Sequence, residues 1–378
     1  MRDLVILGST GSIGVQALEV VAANPDQFRV VGLAAGIKNV ERLIEQARRF
    51  EVPIIATSGD FSQLRAALPG VEVLGGSSAA AEIAAVRCDV VLNGITGSIG
   101  LAPTLAALAA GNKVALANKE SLVAGGELVM AYGRDQIIPV DSEHSALFQA
   151  MSAGRHSEIK KVILTASGGP FRDRADLESV TVTEALAHPT WSMGPVVTVN
   201  SATLVNKGLE IIEAHYLFDI PYRSIEAVIH PQSIVHSLVE FIDGSTIAQA
   251  SPPDMKGPIA YAIGYPERVA GAMKAIDWSA RQSWNFEPID NKRFASIELA
   301  RRCGNLGGAM TAVFNAANEV AVDAFLKGLI TFAAIVATID ATVDRMLNSV
   351  PERVRDLSDV TAIEQDARKV AAEALRNG

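Results

Sequence analysis

The sequence predicts an α/β chain in three parts: an N-terminal parallel sheet domain, an α+β middle and a C-terminal helical bundle. Three observations predict it. Short β-rich runs alternate with helical ones from Leu4 to Val91, turn signals crowd the middle, and from about Ser296 apolar and charged residues recur at helical spacing. At 378 residues, with 49% hydrophobic and 20% charged content, the chain is long enough for two or three domains.

The elements follow in order. LVIL, VQALEVVAA, FRVVGLAA, VERLIEQARRF and VPIIAT read as strand, helix, strand, helix, strand, and the series continues through CDVVLNGI, LAPTLAALAAG, NKVALAN and QIIPV. Such alternation builds βαβ units, so residues 1–141 form the first domain. Residues 142–265 mix strands and helices, and EFIDGSTIAQ predicts a hairpin with Asp243 and Gly244 at its tip. A connection spans 266–295 and holds Trp278 and Trp284; the bundle occupies 296–378.

Charge and cysteine content narrow the function. A net charge of −9 argues against nucleic acid or an anionic membrane as main partner, because both demand a basic face. Cys88 and Cys303 lie far apart without metal-ligand spacing, which suits a reducing cytoplasm rather than a disulfide framework. The start, with Asp3 in its apolar run, does not read as a signal peptide. The stretch from Ala321 to Val343 is interrupted by Asp323, Lys327 and Asp340 and cannot span a bilayer.

Gly8, Gly11 and Gly14 follow the first strand and precede the first helix, the context in which glycines let a backbone approach a pyrophosphate at a helix N-terminus. A tight strand-to-helix connection without a ligand is the other reading. The second strand ends without an acid and offers Gly36, Lys38 and Asn39, and a lysine there favours a 2′-phosphate, hence NADP; a solvated surface charge is the alternative. NGITGSIG at 93–100 either lines the nicotinamide half of the same Rossmann-like crevice or only punctuates a loop.

The acids point to a metal. In extended chain Asp141 and Glu143 of VDSEH project to one side, and like charges so close need a cation or protons; a solvated turn is the bland reading. In SATLVNKGLEIIEAHYLF, Asn206, Lys207 and Glu210 are three and four apart and can present to one neighbour, on a helix whose apolar face is Leu209, Ile212, Tyr216 and Leu217. Either these groups meet a ligand, with Ser201 before them, or Asn206 is an N-cap and Lys207 with Glu210 a surface ion pair. Joined by Glu210, Asp141 and Glu143 make an all-oxygen set suited to Mg²⁺ or Mn²⁺.

Three loops complete the inventory. ASGGPF offers glycine N–H groups beside Ser167, a phosphate cradle or a plain turn. HPTWSMG places His188, Trp191 and Met193 in a lid or a local plug. LANKES puts Lys119 after a strand, within reach of a carbonyl or phosphate unless it is simply exposed.

Together the strings GSTGSIG, LANKESLV, PVDSEHSALFQ, SGGPFR, HPTWSMG, NSATLVNKGLE, HPQSIVHS, PDMKGPIAYA and FNAANEVAV, spread over nearly the whole chain, resemble the 1-deoxy-D-xylulose 5-phosphate reductoisomerases of the non-mevalonate isoprenoid route. The resemblance implies a V-shaped homodimer of subunits with an NADP domain, a catalytic domain and a helical bundle. It implies that Asp141, Glu143 and Glu210 hold Mg²⁺, Mn²⁺ or Co²⁺, and that Lys119 and Ser142 touch the substrate hydroxyls or carbonyl. Ser167, Ser201, Asn206 and Lys207 would take the phosphate end, with His188, Trp191 and Met193 in a flexible lid. Thr10, Gly11, Ser12, Ile13, Gly36, Lys38, Asn39, Asn118, Glu120 and Gly194 would meet NADPH. The chain departs from the family in Asn200 before SAT, where Asp is common, in Lys256 where PDMR has Arg, and in one extra residue in GIKNV.

A two-domain NADP-linked dehydrogenase acting on a semialdehyde or acyl phosphate is the rival enzyme, and it needs no three carboxylates. A regulator that senses NADP without turnover is the rival of another class.

Overall fold

The computed structural model describes residues 1–174, 176–191 and 193–377. Seven strands form the first sheet: β1 (Arg2–Leu7), β2 (Phe28–Ala35), β3 (Ile54–Thr57), β4 (Glu72–Gly75), β5 (Val90–Asn93), β6 (Lys113–Leu116) and β7 (Ile137–Pro139). All pairings are parallel, in the order β4-β3-β2-β1-β5-β6-β7. Leu4 to Leu7 and Val90 to Asn93 are buried without alternation, as expected of strands covered on both faces. The chain order reverses beside β1, so the loops after β1 and β5 emerge side by side at the carboxyl ends of neighbouring strands.

The second sheet contains β8 (Ile159–Ala166), β9 (Ile225–Ile229), β10 (Val235–Phe241), β11 (Thr246–Ala250) and β12 (Glu287–Pro288), ordered β11-β10-β8-β9-β12. β8 and β9 run parallel and the other pairs antiparallel. The expected hairpin joins β10 to β11: Asp243 Oδ1 accepts from the Ser245 N–H at 2.9 Å, and Gly244 takes φ +86° at the tip. Helices Ser296–Leu306, Met310–Leu326, Phe332–Met346 and Leu357–Asn377 make the bundle, around Phe314, Phe325, Ile339, Val343 and Ala367. Gly208 lets the Val205–Phe218 helix lie against Ser296–Leu306, because a Cβ there would stand 2.8 Å from Ala300 Cβ.

The chain divides into two compact units that are discontinuous in sequence. The first comprises Met1–Ser121, Val129–Ser145 and Asp254–Lys274; the second comprises Leu122–Leu128, Ala146–Pro253 and the chain from Ala275 onward. The segment Asp254–Lys274, which linear reading shares between the middle domain and the connection, thus returns to the first sheet. Its Lys256–Gly264 helix buries Ile259, Ala260 and Ile263, Lys256 pairs with Glu19 at 2.6 Å, and Arg2 donates to the Tyr265 carbonyl at 2.5 Å. The remainder of the expected connection is not all irregular, since β12 within it pairs with β9. Among the described residues no helix is long and apolar enough to cross a membrane.

Candidate active site

In the first unit the glycine turn has the shape its spacing predicts. Gly8 takes φ +76°, and a Cβ there would lie 2.7 Å from the Gly94 carbonyl; a Cβ at Gly14 would lie 2.5 Å from the Gly8 carbonyl. Gly11 is the N-cap of the Ser12–Ala23 helix and brings no side-chain cap, which leaves the first-turn N–H groups of the helix to bind an anion. Gln46, which sequence reading passed over, is buried and donates to the Ser9 carbonyl at 2.9 Å, bracing the turn.

The loop after β5 is the neighbour of this turn. The Gly94 N–H donates to the Leu7 carbonyl at 3.0 Å, which places the NGITGSIG segment beside the crevice. Asn118 is buried, and its amide donates to the carbonyls of Ile95 (2.7 Å) and Gly97 (2.9 Å). Its side chain therefore shapes that loop. Glu120 lies 2.9 Å from the same amide. At the end of β2, Gly36 precedes a short turn at Ile37–Asn39, where Lys38 and Asn39 are exposed; Thr10 and Ile13 are half-buried and Ser12 is exposed.

Asp141 and Glu143 do not stand on extended chain. β7 ends at Pro139, and the Asp141 carbonyl already accepts from the Ser145 N–H at 2.8 Å, so Asp141 opens the Ser142–Met151 helix and Glu143 lies in its first turn. Their carboxylates still meet: one oxygen of each lies within 4.8 Å of the other. The helical start, not the pleat, brings them together, because it turns side chains two apart around a tight N-terminus. Asp141 Oδ2 stands 2.6 Å from Lys119 Nζ and 3.6 Å from His144 Nδ1. Burial pushes the Asp141 carboxyl up, but the Lys119 charge and His144 outweigh it and hold the group well below the usual carboxylate range. The buried Ser142 hydroxyl donates to Glu143 Oε2 at 2.5 Å.

In the second unit, Lys207 and Glu210 are 3% and 1% exposed, which removes the reading of a surface ion pair. Lys207 Nζ donates to Glu210 Oε2 and Asn206 Nδ2 to Glu210 Oε1. Asn206 is not the N-cap either; Leu204 holds that place with φ +57°, which leaves the Asn206 amide for Glu210. The expected apolar residues Leu209, Ile212 and Leu217 are buried, and so is Glu213 at 0% exposure. Sequence reading missed Glu213 and His144. Glu213 lies one turn beyond Glu210 and His144 inside the quoted VDSEH, but neither spacing reports burial.

The two glycines of ASGGPF take φ +83° and +64°, turning successive N–H groups beside Ser167. His188 ties this loop to the Pro195–Ala202 helix. Its Nδ1 accepts from the N–H groups of Thr190 (3.1 Å) and Trp191 (2.9 Å), so the ring proton sits on Nε2. Nε2 lies 3.1 Å from both Ser167 Oγ and Ser201 Oγ. Burial pushes the His188 imidazole below its ordinary value. Trp191 and Met193 are half-buried, the Trp191 ring 6.2 Å from that of His236, and Gly194 caps the Pro195–Ala202 helix; Ser192 of the same stretch lies outside the described residues.

Comparison with known proteins decides the family. Residues 4–126 match the family described as 1-deoxy-D-xylulose 5-phosphate reductoisomerase, 137–218 its C-terminal domain, and 250–370 the DXP reductoisomerase C-terminal domain. The 1-deoxy-D-xylulose 5-phosphate reductoisomerase of Streptomyces avermitilis is 55% identical, over 97% of this chain and 97% of its own length. That of Beutenbergia cavernae is 54% identical over 100% and 98%. The chain belongs to the 1-deoxy-D-xylulose 5-phosphate reductoisomerase family.

Solved reductoisomerases carry the same fold. A DOX-P reductoisomerase in complex with NADPH, fosmidomycin and magnesium superposes with TM-score 0.92 at 38% identity, covering 100% of this chain and 98% of that one. The 1-deoxy-D-xylulose 5-phosphate reductoisomerase from Zymomonas mobilis in complex with NADPH gives 0.92 at 39%, covering 99% of each chain. Against the reductoisomerase pattern, Asn200 is buried and its Oδ1 has no hydrogen-bond partner among the described residues.

Proposed function

We propose that this chain converts 1-deoxy-D-xylulose 5-phosphate to 2-C-methyl-D-erythritol 4-phosphate, using NADPH and a divalent metal. The family supports the reaction; the observation in the molecule that carries it is the buried ionic group of Lys207 and Glu210. Burying two charges costs several kcal/mol per ion by rough measure, so such a pair is weak as a stability device and strong as a sign of function.

Asp141, Glu143 and Glu210 would hold the metal. The donor set fits a hard ion: every group is a carboxylate, without sulfur, which favours Mg²⁺ or Mn²⁺ and admits Co²⁺. When bound, the ion supplies Lewis-acid polarisation of the sugar oxygens and NADPH supplies the hydride. Lys119 keeps Asp141 ionised, the form a cation requires, and Ser142 orients Glu143 through its hydroxyl. Lys119 and Ser142 also meet the sugar's oxygens. Ser167, Ser201, Asn206 and Lys207, with the Gly168 and Gly169 N–H groups, bind the phosphate, and His188 aligns the two serine hydroxyls for it. Trp191 and Met193 close over the sugar and exclude water.

The glycine turn with Thr10, Gly11, Ser12 and Ile13 takes the pyrophosphate, and Gly36, Lys38 and Asn39 take the 2′-phosphate end. Asn118 and Glu120 shape the nicotinamide side, joined by Gly194. The enzyme works in the cytoplasm as a homodimer. The open edge of β11, with Ile247 exposed, suits pairing with a second copy. The acyl-phosphate dehydrogenase reading fails on its nucleophile, since burial pushes the Cys88 thiol up to about 11 and the Cys303 thiol up to about 12.

The test follows NADPH absorbance with 1-deoxy-D-xylulose 5-phosphate, with and without a chelator. Turnover that stops on chelation and returns with Mg²⁺ or Mn²⁺ is expected. Metal-independent turnover, or none with this sugar, overturns the proposal.

A further inference from the structure

A cavity of about 490 Å³ lies within the second unit, walled by Leu177, Phe294, Leu299, Phe332 and Val336. Its size and apolar lining are those of a small-molecule site, and none of the groups assigned to sugar, metal or NADPH lines it. Arg293 also lines it. Its guanidinium donates to the backbone carbonyls of Arg172 and Arg174, its Nε–H is buried without an acceptor, and among the described residues no carboxylate pairs with it. The other arginine of the wall, Arg302, is already neutralised by Asp340 at 3.1 Å and Asp344 at 2.5 Å. The wall also carries Glu298 and Asp340, but Glu298 pairs with Arg301 at 3.5 Å and Asp340 with Arg302, so the cavity combines an apolar body with an Arg293 guanidinium that these acids do not engage.

Its walls are also the back of the proposed phosphate cradle. Phe332 packs edge-on against Phe171 with ring centroids 5.1 Å apart, and Phe171 follows the Gly168 and Gly169 turn after Pro170 alone. Arg293 holds the carbonyl of the next residue, Arg172. Thr203, another lining residue, ends the helix that carries Ser201, and its carbonyl accepts from the Ser296 hydroxyl at 2.8 Å. The cavity wall is thus continuous with both segments that carry Ser167 and Ser201.

We infer that this cavity is a second, regulatory site for an amphipathic anion, whose apolar body lies on Phe294, Phe332 and Val336 and whose charged head faces Arg293. Occupancy shifts the cradle and so changes the affinity for the sugar phosphate; this coupling rests on the phosphate assignment above, whereas binding itself does not.

The test uses 8-anilinonaphthalene-1-sulfonate as the anionic probe and N-phenyl-1-naphthylamine as its neutral counterpart, added to the full chain with saturating NADPH and Mg²⁺. Expected is one sulfonate bound per chain, weakened about tenfold by Val336→Trp or Ala337→Trp, which fill the cavity. Arg293→Gln weakens the sulfonate about tenfold but leaves the neutral probe unchanged. With sugar phosphate turning over, the sulfonate changes KM rather than kcat, and Val336→Trp abolishes that response. Sulfonate affinity unmoved by all three substitutions, or sulfonate displaced competitively by the sugar phosphate, overturns the inference. The fluorescence readout needs no turnover, so a chain that fails to reduce the sugar would refute the reductoisomerase reading and leave the binding result standing.

Discussion

Lys207 and Glu210, three residues apart on the Val205–Phe218 helix, form an ion pair with 3% and 1% of their side chains exposed. Such a pair is expensive to break from one side and cheap to replace whole. Lys207→Met should destabilise the fold by about 3–5 kcal/mol, because Glu210 stays buried without that counter-charge. The double change to Met and Leu should recover most of that stability and none of the activity. Urea unfolding beside NADPH turnover separates the two; a double variant no more stable than the single would show the pair to be structural.

Glu210→Gln should keep the fold and weaken metal binding by at least about tenfold, the scale on which lost ligands and their supports act. Titration of bound Mn²⁺ by electron paramagnetic resonance reads this without turnover. Unchanged Mn²⁺ affinity would remove Glu210 from the ligand set.

The buried His236 carries a pH dependence. Burial lowers its imidazole from 6.5 to about 4, so the folded chain favours the neutral ring. A depressed histidine contributes stability that is complete above its unfolded value and fades as pH falls from about 6.5 towards 4, by about 3 kcal/mol in all. His236→Gln should flatten that part of the stability profile, compared by urea midpoints at pH 4.5 and 7.5. Parallel profiles for the two proteins would contradict the assignment.

Gly8→Ala forces φ +76° on an L side chain and drives its Cβ to 2.7 Å from the Gly94 carbonyl. The strain should cost about 1–3 kcal/mol and open the crevice between the loops after β1 and β5. NADPH affinity, followed by quenching of protein fluorescence, should fall more than stability does.

Lys38→Ala should weaken NADPH by about tenfold and leave NADH binding unchanged, since one phosphate contact of the charge-assisted kind is removed. Equal losses for both coenzymes would place the 2′-phosphate elsewhere.

Much of this was legible along the chain. Short apolar runs alternating with period-3.6 segments mark buried strands and their helices, so six strands of the first sheet, the β10 to β11 hairpin and the bundle could be read directly, whereas the short edge strand β4 was missed. The glycine turn was legible too, because the positive φ of Gly8 and the approach of Gly14 to the Gly8 carbonyl are set within one tight turn, although the Gly94 carbonyl that closes on Gly8 comes from the loop after β5. The family strings carried the choice of acids.

Other features depend on which distant segments become neighbours. VDSEH reads as a strand end, yet the chain turns helical at Ser142 and only then do Asp141 and Glu143 meet within 4.8 Å. NKGLE reads equally well as a solvated face; the packing of the Val205–Phe218 helix made Lys207, Glu210 and Glu213 interior groups. His188 could not be seen to bridge Ser167 and Ser201, nor Asp254–Lys274 to rejoin the first sheet, because burial and long-range hydrogen bonds are properties of the folded neighbourhood and leave no periodic trace in the residues that will share it.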